Sequence, residues 1–214
     1  MIREKFCLVG IDIDFEDLIL DYKKYYVGFF SSKKSKSYTY KNTKLGKENL
    51  KDWIKIKKNF NPRVYITIDN GKERENLYKK VYKKNYSNLI FDNSYVSSSS
   101  KKFLLNKKGI IIQKFAKIMP NVKINDGVKI NINCQIHHNS IIGKFSTLAP
   151  ASVILGNVKI GSYSYIGANS TIKQNVKIGK NCIIGAGSVI TKDVNDREVI
   201  VGSSTRLLKK NKLI

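Results

Sequence analysis

The chain has 214 residues, 42% of them hydrophobic, and a formal net charge of +24 at pH 7. Its lysines spread from Lys5 to Lys212 without a recognisable nucleic-acid-binding module, so the charge alone does not predict a nucleic acid as partner. No apolar stretch approaches the roughly 20 residues of a membrane span. The 3 cysteines lack the paired spacing of a zinc site or a disulfide framework, so we expect a cytoplasmic protein without a metal.

The first hundred residues alternate short apolar segments with charged amphipathic ones. This alternation predicts a small parallel sheet with crossover helices, a Rossmann-like domain over residues 1–102. The predicted strands are Phe6–Gly10, Tyr26–Phe30, Arg63–Ile68 and Asn88–Phe91, and the predicted helices are Glu16–Tyr25, Lys47–Lys58 and Lys72–Lys84. A polar linker is expected at Ser97–Lys102, where the domain ends.

A strict six-residue repeat occupies the rest of the chain. Every sixth residue from Ile112 to Ile190 is Ile or Leu, and we call these residues the rungs. The residue two places before a rung, from Ala116 to Ser188, is always Ala, Val, Cys or Ser. A hexad of this kind predicts a parallel β-helix, a triangular prism that buries the aliphatic column. We assign it to residues 103–194, followed by a C-terminal tail at 195–214.

Glycine follows several rungs directly, at Gly143, Gly161, Gly167, Gly179 and Gly185. We expect these glycines at the corners of the prism, where a turn needs backbone freedom. A slim prism buries little surface per residue and gains by packing its flat faces on copies of itself, so we expect a homotrimer.

Three segments of the repeat carry a family resemblance. Residues 131–150 read NINCQIHHNSIIGKFSTLAP, residues 156–161 read GNVKIG, and residues 166–170 read IGANS. With the βαβ pattern before them, they resemble the bacterial hexapeptide-repeat sugar O-/N-acyltransferases, of the sialic acid O-acetyltransferase and bacillosamine-pathway N-acetyltransferase type. The resemblance implies a trimer of left-handed β-helices, with acetyl-CoA as acyl donor bound between neighbouring prisms.

The resemblance also implies a catalytic histidine, which takes a proton from the acceptor as it attacks the thioester. By position this base is His138, and imidazole suits the task at neutral pH. The family usually places a glutamate next, where this chain has Asn139, whose amide can hold a tautomer but supplies no charge. His137 remains the alternative base.

Contacts to the acyl donor follow from the resemblance by position. They fall at Thr147, Ala168 and Ala186, with Gly167 and Gly185 beside them. Thr147 stands where a second histidine is common, and its hydroxyl could replace that donor in part. Lys192, Arg206 and Lys209 could meet the donor's phosphates or be simply solvated.

The acceptor site matches the family least. Gly10 begins a loop that in the family is glycine-rich and cradles nucleotide phosphates, but here Asp12 and Asp14 follow. The second strand ends in Ser31 and Ser32 instead of paired aspartates. The remaining candidate acceptor contacts are Gly10, Asn131, Asp69 and Asn70.

Three functions stay open on the sequence. The first is acetyl transfer to the nitrogen of a nucleotide-linked amino sugar in cell-surface glycan synthesis. The second is acetyl transfer to a hydroxyl of a glycan that carries no nucleotide, which the altered loop favours. The third is a non-catalytic trimer that binds a sugar.

Overall fold

A computed structural model describes residues 4–10, 15–31, 44–82 and 85–202. The N-terminal part contains β1 (Phe6–Val9), α1 (Glu16–Asp21), β2 (Tyr26–Phe30), β3 (Lys44–Gly46), α2 (Leu50–Phe60), β4 (Arg63–Ile66) and α3 (Gly71–Leu77). A 3-10 turn at Lys23–Tyr25 follows α1, and a π-helical turn at Tyr78–Tyr82 continues α3. The predicted end of the third helix, at residues 83–84, lies outside the described residues.

The N-terminal strands form one parallel sheet in the order β3-β2-β1-β4. In β1, Phe6 and Leu8 pack on one side with α1, whereas Cys7 and Val9 pack on the other side with α2 and α3. Because both sides are covered, the strands read as continuous apolar runs. The sequence predicted β2 in full and β1 and β4 slightly too long, and it missed β3.

The second part is a stack of two-residue strands preceded by one helix. It contains β5 (Leu89–Ile90), β6 (Tyr95–Val96), α4 (Ser98–Leu104), β7 (Ile111–Ile112), β8 (Lys117–Ile118), β9 (Lys123–Ile124), β10 (Lys129–Ile130), β11 (Gln135–Ile136), β12 (Ile141–Ile142), β13 (Thr147–Leu148), β14 (Val153–Ile154), β15 (Lys159–Ile160), β16 (Tyr165–Ile166), β17 (Thr171–Ile172), β18 (Lys177–Ile178), β19 (Ile183–Ile184), β20 (Val189–Ile190) and β21 (Val199–Ile200).

These strands make the three faces of a prism. Face 1 stacks β5, β7, β10, β13, β16, β19 and β21; face 2 stacks β6, β8, β11, β14, β17 and β20; face 3 stacks β9, β12, β15 and β18. The first edge joins face 1 to face 2, as at residues 131–134, the second joins face 2 to face 3, as at 137–140, and the third returns to face 1, as at 143–146. Every predicted rung is 0% to 5% exposed, so the predicted aliphatic column is confirmed.

The prism begins earlier than the boundary predicted at residue 102. Leu89–Ile90 pairs with Ile111–Ile112 and Tyr95–Val96 pairs with Lys117–Ile118, so both strands belong to prism faces and not to the N-terminal sheet. The expected linker at Ser97–Lys102 is instead the start of helix α4, with Ser97 as its N-cap. Ile90 and Val96 stand six residues apart, a spacing that already followed the hexad.

The glycines after the rungs have a different role from the predicted one. Positive φ angles occur three residues after the rungs, as at Asn121 and Asn133, and not directly after them. A Cβ on Gly143 would lie 2.5 Å from the carbonyl carbon of Gly161 in the next coil. Glycine is therefore needed at these positions because the coils stack closely, and not because the turn requires an unusual backbone angle.

A buried arginine joins the two parts of the chain. Arg74 of α3 is 2% exposed. It donates hydrogen bonds to the backbone oxygens of Ile68, Asp69, Gly127, Phe145 and Ser146 and to the hydroxyl of Thr147. Burial lowers the pKa of its guanidinium to about 10, with Asp69 opposing the shift, so the group is still charged at neutral pH. The early coils of face 1 are thereby fixed against the N-terminal sheet.

Candidate active site

His138 lies exposed on the second edge, two residues after the face-2 rung Ile136. Its ring rests over Gly156, which occupies the same place one coil later. A Cβ on Gly156 would lie 2.6 Å from both Cε1 and Nε2 of the imidazole. The missing side chain at Gly156 therefore makes the room in which this ring lies. His137 is half-buried beside it, and its backbone N–H donates to Ile154 O at 2.8 Å.

Asn139 occupies a corner with a left-handed backbone, with φ of 59°. The corners after other rungs carry asparagine in the same conformation at Asn121, Asn133, Asn157, Asn169, Asn175 and Asn181. Glutamate lacks the short amide that eases this conformation, so at residue 139 it would carry a strain of about 1 kcal/mol. The backbone thus favours asparagine where the resemblance led us to expect a carboxylate.

The amide of Asn139 also contacts the imidazole. Its Nδ2 lies 3.2 Å from Nδ1 of His138. A half-turn of the side-chain amide exchanges the positions of Nδ2 and Oδ1. With Oδ1 next to the imidazole, Asn139 accepts a hydrogen bond from Nδ1–H of His138. That tautomer leaves Nε2, the nitrogen above Gly156, free to accept a proton.

Replacing Gly156 with alanine is expected to displace the His138 ring and to lower kcat about 10- to 100-fold, since small misplacements of a reacting group are costly. The new methyl would meet the end of a flexible side chain and not the backbone, so the thermal midpoint should change little. The control is the same substitution in a His138→Ala background, where it should slow turnover no further. An equal slowing in both backgrounds would show that Gly156 acts independently of the imidazole.

The first edge carries most of the residues expected to contact the acyl donor. Gly167 and Gly185 stack in one column above Asn131, and Ala168 and Ala186 stack in the neighbouring column. A Cβ on Gly167 would lie 2.5 Å from the backbone N of Ala186. The buried amide of Asn131 donates to Leu148 O at 2.8 Å. This edge is therefore narrow, and the coils at Gly167 and Gly185 have only glycine and alanine in these two columns.

Thr147 is placed differently from the edge residues. It lies on face 1, is 1% exposed, and its hydroxyl donates to Asp69 O at 2.8 Å and accepts from Arg74 Nη1 at 2.9 Å. The hydroxyl expected near the donor is thus engaged in holding the two domains together.

The remaining predicted residues meet at the carboxyl ends of β1 and β4. Gly10 has φ of +100°, and a Cβ there would lie 2.9 Å from Thr67 Oγ1. Asp69 pairs through Oδ1 with Lys129 Nζ at 2.9 Å, and the side chain of Asn70 caps α3 by accepting from Glu73 N. The sequence analysis missed Lys129, whose Nζ is buried and also donates to Thr67 O at 2.8 Å.

A cleft opens on face 1 next to this junction. Its cavity volume is ≈ 360 Å³. One wall carries Asp69, Asn70 and Lys72, and the other carries Tyr163, Tyr165 and Ile183. Burial is the main cause that raises the pKa of the Tyr165 phenol, with Asp69 adding to it, so this hydroxyl stays protonated at neutral pH.

The predicted site residues therefore form three groups within one chain. His138 and Asn139 lie on the second edge; Asn131, Gly167, Ala168, Gly185 and Ala186 lie on the first edge; Gly10, Asp69, Asn70 and Thr147 lie at the domain junction. The first two groups border face 2 from opposite sides. Ser32, Arg206 and Lys209 lie outside the described residues. Among the residues that are described, no group of three or more His, Cys, Asp or Glu could hold a metal ion, and no helix could cross a membrane.

Residues 133–174 and 157–192 match the family model described as bacterial transferase hexapeptide (six repeats). Together the two matches span residues 133–192 of the 214-residue chain. The match confirms the family resemblance for this part of the chain. No curated protein sequence matches the chain.

Several solved structures share the fold of this chain along nearly its whole length. The acetyltransferase domain of PglB from Neisseria gonorrhoeae FA1090, in complex with acetyl coenzyme A, has a TM-score of 0.78 at 19% identity, covering 94% of this chain and 97% of that one. PerB from Caulobacter crescentus, in complex with CoA and GDP-perosamine, has a TM-score of 0.78 at 20% identity, covering 92% and 94%. WeeI from Acinetobacter baumannii AYE has a TM-score of 0.71 at 21% identity, covering 94% and 97%. The predicted order, a small parallel-sheet domain followed by a left-handed β-helix, is confirmed.

Proposed function

We propose that the protein is a cytoplasmic, homotrimeric sugar N-acetyltransferase that uses acetyl-CoA and acts on a nucleotide-linked amino sugar, a 4-amino sugar, in cell-surface glycan biosynthesis. The observation that carries the proposal is the exposed His138 ring, seated over Gly156 and contacted by Asn139. The similar folds of PglB with acetyl coenzyme A and of PerB with CoA and GDP-perosamine support the substrate classes.

The proposed reaction is a direct transfer. The lone pair of the acceptor amine attacks the thioester carbonyl carbon while Nε2 of His138 takes a proton from the nitrogen. The C–S bond then breaks, the protonated His138 gives that proton to the leaving sulfur so that CoA leaves as the thiol, and the amide remains on the sugar. Asn139 orients the imidazole by accepting from Nδ1–H.

The proposed trimer brings the two separated groups of site residues together. Face 2 presents Gln135, Val153, Thr171 and Val189 over its central and late coils, without a charge, and it is therefore the face best suited to a three-fold axis. With face 2 turned inward, the second edge of one prism meets the first edge of the next. His138 of one subunit then adjoins the column of Gly167 and Ala168 in its neighbour.

A second candidate function is O-acetylation of a sugar or glycan that carries no nucleotide. The observation that favours it is the segment after Gly10, where Asp12 and Asp14 would repel a diphosphate. A non-catalytic sugar-binding trimer is the third candidate, and it predicts no affinity for CoA.

Turnover with matched acceptors tests the proposal. We expect the protein to release CoA from acetyl-CoA in the presence of a nucleotide-linked 4-amino sugar, and kcat/KM should fall at least about 100-fold for the same sugar without its nucleotide. The released thiol is measured continuously, and mass spectrometry locates the acetyl group. Equal rates with both acceptors, or an ester product, would favour O-acetylation, and the absence of CoA binding would favour the non-catalytic trimer.

A further inference from the structure

Exposed lysines concentrate on one face of the late coils. The outward strand positions of face 3 carry Lys123, Ile141, Lys159 and Lys177. The late coils of face 1 instead expose Tyr165, Ile183 and Val199, and those of face 2 expose no charged strand residue. Face 3 therefore differs from the other two faces in charge. The lysine-rich composition of the chain does not explain this difference, because it would place lysines on all three faces.

Lys159 and Lys177 are direct partners in neighbouring strands. Their backbones lie about 4.8 Å apart, and like charges placed opposite each other in a sheet are destabilising. In the described part of the chain neither Nζ forms an ion pair with a carboxylate. Asp193 is next to them, but its Oδ1 accepts from the backbone N–H of Lys177. An anion that is absent from the isolated chain would relieve this repulsion.

Lys159 and Lys177 both lie on the C-terminal side of His138 along the prism axis. They lie on coils later than the one that carries the histidine, about 5 and 10 Å further along the prism axis. The N-terminal domain covers the early coils, where Lys129 and Thr147 are buried against it. An acceptor held by that domain approaches from the early side, so the late side is left for the body of the acyl donor.

The proposed trimer places a second surface next to these lysines. If face 2 points inward, face 3 of one subunit adjoins face 1 of the next along the line where their edges meet, and this junction is open to solvent. Lys159 and Lys177 then lie beside the exposed Tyr165 and Ile183 of the neighbour, on the other side of its first edge. Cations on one side of the junction and an aromatic and aliphatic surface on the other suit a ligand with phosphates and an apolar arm.

We propose that Lys159 and Lys177 bind the phosphates of acetyl-CoA whose pantetheine arm lies along the first edge of the neighbouring subunit. This inference rests on the proposed function and on its trimer. It assigns donor binding to a face of the prism that the sequence resemblance did not indicate. Lys192, which the sequence analysis raised, lies further along the second edge on the same side of His138.

Calorimetric titration with CoA tests this site in the full-length protein. Lys159→Gln and Lys177→Gln are each expected to weaken CoA binding about 5- to 10-fold and to reduce its salt dependence, since each removes one charge-assisted contact. In turnover assays the KM for acetyl-CoA should rise while kcat at saturation is unchanged. Lys123→Gln is the matched control, because it alters the same outward column on a coil before His138, where Nζ lies over the Phe103 ring.

The possible results distinguish failure of the proposed phosphate site from failure of the proposed acetyltransferase function. A wild-type protein that binds no CoA would overturn the proposed function. A wild-type protein that binds CoA, with a Lys159→Gln/Lys177→Gln double variant within twofold of it, would overturn only the phosphate site. An equal loss of CoA affinity in Lys123→Gln would also overturn the phosphate site, because that result would assign the effect to the overall positive charge of the protein and not to a local contact.

Discussion

His138→Ala is expected to lower kcat about 10²- to 10⁴-fold, which is the usual contribution of a positioned general base. The affinity for CoA should stay within twofold of wild type, because the donor contacts lie on other edges and faces of the prism. The His138 side chain is exposed and no buried group depends on it, so the thermal midpoint should also be preserved. Initial rates at saturating acetyl-CoA and acceptor measure the effect.

His137→Ala is the matched control for this substitution. Its side chain is the neighbouring imidazole on the same edge, but the residue one coil later is Leu155, whereas the residue one coil after His138 is Gly156. We expect its kcat within about twofold of wild type. A large loss in His137→Ala together with a small one in His138→Ala would exchange the roles of the two residues.

Mixing two inactive variants is expected to restore activity. In the proposed trimer each site takes His138 from one subunit and the first edge from the next, so His138→Ala and Ala186→Trp damage different halves of a site. Every trimer that contains both variants would have one intact site among its three, so about a third of the wild-type activity should return. Co-expression with two affinity tags, followed by purification on both and a turnover assay, measures the recovery.

The control for mixing places tryptophan on the third edge instead. Lys180→Trp occupies the equivalent exposed corner away from face 2 and should be active by itself. Absence of recovery in the purified mixed trimers would mean that one chain supplies the whole site. It would also remove the subunit junction at which Lys159 and Lys177 are proposed to bind phosphate.

The hexad specified the prism because its period is a direct consequence of the coil. One rung recurs at each face, so the aliphatic column from Ile112 to Ile190 could be recognised without any knowledge of contacts. His138 was found in a different way, from the family resemblance, since its exposed position has no periodic signature. The reason for Asn139 became clear only with its backbone angle, which other asparagine corners share.

What the sequence by itself determined is the local and periodic part of this protein: three of the four strands of the first domain, the rungs and their small inner neighbours. Only the tertiary structure showed that Leu89–Ile90 joins the prism, that Thr147 and Arg74 bind each other, and that Lys129 meets Asp69. These contacts join residues far apart in the chain, and a lysine or threonine has the same local preference whether its partner is water or another domain. A periodic pattern can be recognised in the sequence alone, whereas the packing of the two domains decides which distant residues contact each other.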